Sequence, residues 1–122
     1  MVFDHIGFNV RDFTRSRAFY TAALAPLGLD ILKEGDGWAM IGRWGEGMMW
    51  FGAMGEAAKP VHIAFRARNR EEVRRFHAAA LAAGGRDNGA PGLRLQYHEH
   101  YYGAFVLDPD GHNVEAVCHD PE

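Results

Sequence analysis

The chain repeats itself. Shifted by 57 residues, positions 4–30 align with 61–87 without a gap, and 12 of the 27 pairs are identical. The identities include His5/His62, Ile6/Ile63, Phe8/Phe65, Arg11/Arg68, Arg17/Arg74, Phe19/Phe76, Leu24/Leu81, Gly28/Gly85 and Asp30/Asp87. A repeat this dense means one structural unit used twice, so the fold must be explained by a module that cannot bury its apolar face alone.

Each copy opens with a strand pattern. In the first, Ile6, Phe8 and Val10 alternate with His5, Gly7 and Asn9; in the second, Val61, Ile63, Phe65 and Ala67 alternate with His62, Ala64 and Arg66. A helix follows, with apolar spacing i, i+3, i+4, i+7, i+8 at Ser16, Phe19, Tyr20, Ala23 and Leu24, and again at Val73, Phe76, His77, Ala80 and Leu81. Asp12 and Asn69 are suited to N-caps, with Glu72 completing a capping-box pattern. Gly28 and Gly85 lie where a left-handed C-terminal residue is wanted. Short strands are then expected at about 29–34, 37–43 and 47–53, and at about 93–98, 101–107 and 112–118, with a tight turn at Asp108-Pro109-Asp110-Gly111. The prediction is an α+β protein of two tandem βαβββ modules, about 1–54 and about 60–119, in a single domain over 1–122. Gly52 to Pro60 links them, and the glycine-rich stretch 84–92 is expected to form a rim.

Composition narrows the function. Nearly half the residues are hydrophobic, enough for one modest core. A net charge of −3 and a basic run interrupted by Glu71 and Glu72 argue against nucleic acid as a partner. No apolar run is long enough to span a membrane, and the N-terminus lacks a signal-peptide pattern. The single Cys118 excludes an internal disulfide, so a cytoplasmic location is expected. Cys118 alternates away from Glu115 and reads as a packed residue; His77 reads as structural, and His112 and His119 as solvent-exposed.

Three residues stand out as ligands. His5 and His62 occupy the same place in the two copies, opposite the helix-packing face, and Glu115 is a charge among apolar neighbours in the last strand. Two imidazoles and a carboxylate suit Zn²⁺, or form a facial triad for Fe²⁺ or Mn²⁺. The segment Tyr97-His98-Glu99-His100-Tyr101-Tyr102 is rich in groups that transfer protons, and His98, His100 and Tyr102 are the candidate catalytic acids or bases.

The pattern His5-Ile6-Gly7-Phe8, His62-Ile63-Ala64-Phe65 and Asp108-Pro109-Asp110-Gly111-His112-Asn113-Val114-Glu115 resembles the vicinal oxygen chelate superfamily of glyoxalases, bleomycin-resistance proteins and extradiol dioxygenases, and the resemblance covers the whole chain. It implies an incomplete barrel around a cavity, with His5, His62 and Glu115 holding a divalent ion (Zn, Fe, Mn or Ni). It also implies a small oxygen-chelating substrate, a lyase, isomerase or dioxygenase type of chemistry, and a homodimer. The alternative is a metal-free module that sequesters a drug or other small molecule, for which Trp38, Trp44, Trp50 and Phe51 would supply an aromatic cleft. Two positions depart from the family pattern. Trp50 or Phe51 stands where glyoxalase I-like members carry a fourth glutamate ligand, and Phe105 stands where many relatives have a tyrosine. A typical glyoxalase I is therefore not expected.

Overall fold

A computed structural model describes residues 3–122. The first module runs β1 (His5–Asn9), α1 (Phe13–Leu24), a short 3₁₀ turn (Ala25–Leu27), β2 (Asp30–Gly35), β3 (Trp38–Arg43) and β4 (Gly47–Gly52). The second runs β5 (His62–Arg66), α2 (Arg70–Ala82), β6 (Arg86–Leu93), β7 (Tyr102–Leu107) and β8 (Asn113–Cys118). The sheets have the same strand order, β1-β4-β3-β2 and β5-β8-β7-β6, in which the first strand of each module pairs in parallel with the last. They do not close on each other, and the tandem modules make an open, incomplete barrel.

Local chemistry explains the helix starts. The Asp12 side chain accepts the Arg15 N–H, and Asn69 accepts the Glu72 N–H, each filling one of the donors a helix start leaves free. The Glu72 carboxylate does not close a capping box on Asn69; it reaches one residue further back, to the Arg68 N–H and guanidinium. One core serves both modules: Phe19, Tyr20, Ala23 and Leu24 of α1 join Val73, Phe76 and Ala80 of α2 with the helix-facing sides of both sheets. Cys118 is part of that core.

Three expectations are corrected. The stretch expected as a rim is strand β6, Arg86–Leu93, while Arg94 to Tyr101 is turn and loop, so the strand expected at 93–98 lies earlier. The left-handed residue after α2 is Gly84, not Gly85; Gly85 is required because a Cβ there would fall 2.5 Å from Val106 and 2.7 Å from Phe19. His112, expected in solvent, is fully buried. Its Nδ1 accepts the Val61 N–H at 3.0 Å, and its ring stands edge-on to Phe8 at 4.8 Å, joining the two modules. A second tie is Tyr20, whose phenol donates to Asp108 at 2.5 Å across the same junction.

Candidate functional site

Strand register decides which side chains share a surface. In module two, Ala64, Glu115, Phe105 and Gly89 lie in one cross-strand row, and His62 precedes Ala64 by one repeat of the pleat. This face is turned away from the helices, yet Glu115 is only 1% exposed. Two neighbours cover it. His62 Nε2 lies 2.8 Å from Glu115 Oε1, and the Tyr101 phenol donates to Oε2. Burial, followed by the hydrogen bond to Glu115 and its charge, holds the Tyr101 phenol protonated well above the usual tyrosine range. Phe105 forms the floor, 6.2 Å from the His62 ring.

Module one presents the equivalent face with different chemistry. Gly7 pairs with Trp50 as Ala64 pairs with Glu115, so Trp50, not Phe51, is the counterpart of Glu115; Phe51 is buried in the core. His5, Gly7, Asn9, Met40 and Trp50, with Phe8, line a hollow of about 560 Å³. His5 Nδ1 is 2.7 Å from the exposed Asp4 carboxylate.

The candidate residues therefore separate into groups. His62 and Glu115 come together, with Tyr101; His5 stands apart on the other sheet. Among the described residues no three His, Cys, Asp or Glu side chains form a metal-binding group. Tyr102 points to the helix side of β7: its ring lies 5.0 Å from the Arg70 guanidinium and its phenol accepts from Arg74 at 3.3 Å, so it does not face Glu115. His98 stacks on His119, their nitrogens 2.7 Å apart, beside the edge of Tyr101. Because His98 Nδ1 accepts the His100 N–H, a neutral His98 carries its proton on Nε2 and donates it to His119 Nδ1. Burial, then the nearby Arg66 charge and His98, disfavours protonation of His119. The His100 ring has its neighbour Glu99 as a charged partner, at 3.6 Å, and does not reach Glu115 by a hydrogen bond. Tyr101, the residue that does reach Glu115, was readable from parity: the turn at 108–111 pairs Phe105 with Glu115, and every second residue back along β7 returns to the same face.

The sequence profile of the Glyoxalase/Bleomycin resistance protein/Dioxygenase superfamily matches residues 2–116. The chain belongs to this superfamily. Among solved structures, this superfamily member is similar to a glyoxalase/bleomycin resistance protein from Albidiferax ferrireducens T118, with 28% identity and a TM-score of 0.85 over 98% of this chain and 100% of that one. It shares its fold with a glyoxalase/bleomycin resistance protein/dioxygenase family enzyme from Burkholderia phytofirmans PsJN (18% identity, TM-score 0.74, 96% and 98% covered). The same fold occurs in the oxidase ChaP-H2 (20% identity, TM-score 0.69, 98% and 94% covered). No curated protein matches the chain at a significant level. No helix among the described residues is long and apolar enough to cross a membrane.

Proposed function

We propose that the chain is a divalent-metal-dependent enzyme acting on a small oxygen-chelating substrate, of lyase, isomerase or dioxygenase type, with its site centred on Glu115. The observation that carries this reading is a carboxylate buried on the face of a sheet turned away from the core, held by one imidazole and one phenol. A carboxylate in such a place costs several kcal/mol unless its partners or a cation repay it.

A metal ion sets a geometric demand on the donor set. Ligands at about 2.0–2.2 Å from one ion stand roughly 3 Å from each other. His62 Nε2 and Glu115 Oε1, 2.8 Å apart, fit that edge, but they are only two donors. The third, His5, belongs to the face of module one. A homodimer supplies it: His5 of a second copy, with Trp50 and Met40 beside it, covers the Glu115 face of the first. A divalent ion held there would polarise substrate oxygens as a Lewis acid. Phe105 of one copy and Trp50 of the other would exclude water, and Tyr101 would hold a proton at its phenol, next to the carboxylate. The location fitting this reading is the cytoplasm, with no nucleic acid or membrane as partner.

Metal analysis of protein purified without chelator tests the proposal. About one divalent ion per chain is expected, with loss on His5→Ala and on Glu115→Ala. Equal content in the wild type and both variants would sink it. The second reading, metal-free sequestration of a small molecule, is favoured by the existing His62–Glu115 pairing and the apolar hollow under Trp50. A wild type that stays metal-free after growth in metal-supplemented medium would select it.

A further inference from the structure

The Glu115 face carries two arginines outside the ligand set. Arg94 leaves the end of β6 and folds back over the sheet. Its guanidinium lies 5.3 Å from the Phe105 ring, and its two terminal nitrogens donate to the carbonyls of Gly92 at 2.9 Å and Ala90 at 2.8 Å. Phe105 is the cross-strand mate of Glu115, so the cation sits over the strand that neighbours the one bearing the buried carboxylate. Arg66 extends from β5 in the row Arg66, Val117, Gly103 and Gly92. Two glycines in that row give room to the side chains beside them. At Gly103 an added side chain would meet Tyr101 at 3.2 Å and Glu115 Oε2 at 3.3 Å, and at Gly92 it would meet Arg94 at 3.2 Å.

Arg94 is thus fixed without being neutralised. None of the ion pairs formed among the described residues includes Arg94 or Arg66. A guanidinium has five N–H donors, and neutral carbonyls take hydrogen bonds from two of its nitrogens without cancelling its charge. Stacking on a ring and bonding to backbone remove the rotamer freedom that a flexible arginine would lose on binding an anion. A pre-oriented guanidinium with no direct ion-pair partner is suited to a carboxylate or phosphate, which it meets through two parallel hydrogen bonds.

We propose that the substrate of this site carries an oxyanion group, a carboxylate or a phosphate, and that Arg94 receives it, with Arg66 on the same face of the sheet. The proposal rests on Glu115 marking the site. It makes the substrate an anion whose charged group lies a few bonds from the atoms engaged at Glu115.

The test is calorimetric titration of EDTA-treated protein with malonate, inorganic phosphate and the neutral malonamide. The variants are Arg94→Gln, Arg94→Lys and, as a control on the exposed side of α2, Arg75→Gln. Malonate or phosphate should saturate the wild type and Arg75→Gln alike and bind more weakly as salt is added. Arg94→Gln should lose at least tenfold in affinity, Arg94→Lys should lose less, and malonamide should not bind. Preference for malonate assigns a carboxylate; preference for phosphate assigns a phosphoryl group. Should Arg94→Gln fail to fold, the side-chain N–H resonance of Arg94 in the wild type gives the same answer by shifting as the anion saturates. Neither anion saturating, Arg94→Gln binding as well as the wild type, or a resonance that stays fixed would overturn the proposal. Chelator-treated protein removes any contribution from a metal, so this result and the metal analysis stand or fall separately.

Discussion

Tyr101 donates its phenolic hydrogen to Glu115, fourteen residues further along the chain, and so covers the carboxylate oxygen that His62 leaves free. Tyr101→Phe should leave the fold intact and strip one partner from a buried carboxylate, lowering stability by about 1–3 kcal/mol. Urea unfolding measures that difference. No change in the midpoint would mean that water or another group replaces the phenol.

Mixing variants tests where His5 acts. If each site combines His5 of one copy with Glu115 of another, His5→Ala and Glu115→Ala chains each lose metal alone. Their mixed dimer regains one intact site of its two, so subunit exchange should restore about a quarter of the wild-type metal content by statistical pairing. A site contained within one chain would regain nothing.

Trp50 is expected to shape the cavity without ligating. Trp50→Ala should keep its metal and change the affinity for small ligands, because an indole can wall a site but cannot coordinate. The wild type should show no appreciable turnover of the methylglyoxal–glutathione adduct. Loss of metal in a folded Trp50→Ala protein, or robust turnover of that adduct, would contradict the assignment.

Tyr20 makes stability depend on alkaline pH. Burial, then the charge of Asp108 and the hydrogen bond to it, raises the phenol well above its ordinary value of 10.0. The unfolded chain releases this proton first, so the stabilisation is complete below about pH 10 and is lost as pH rises further. Thermal melts should show a steeper alkaline fall for the wild type than for Tyr20→Phe, which lacks the proton and should cost about 1–3 kcal/mol at neutral pH. Parallel curves would refute this account.

Gly85→Ala should be destabilising by about 1–3 kcal/mol through overpacking against Val106 and Phe19, as a urea midpoint would show.

The repeat and the turn residues made the modules, both helices and seven of the eight strands legible, because alternation, helical spacing and turn chemistry are local signals. The repeat also implied that some residue of β4 would mirror Glu115, and register shows that it is Trp50. What remained hidden was non-local. His112 reads as a turn residue until Val61 and Phe8 from other strands close over it. Tyr101 and Tyr102 alternate to opposite faces, so only the β7–β8 register set by the 108–111 turn separates them. The matching places of His5 and His62 in the repeat gave no measure of the distance between the two sheets.

The parallel pairing of first and last strands has a consequence for synthesis. A module emerging from the ribosome cannot place its opening strand until its closing strand has been made. For the second module, His62–Arg66 must wait for Asn113–Cys118, some fifty residues later. Through that interval a strand edge containing Ile63 and Phe65 is exposed to other nascent chains, the kind of surface on which misassembly begins. The completed first module already offers the apolar side of α1, so early docking there is the natural protection for the half-made second one.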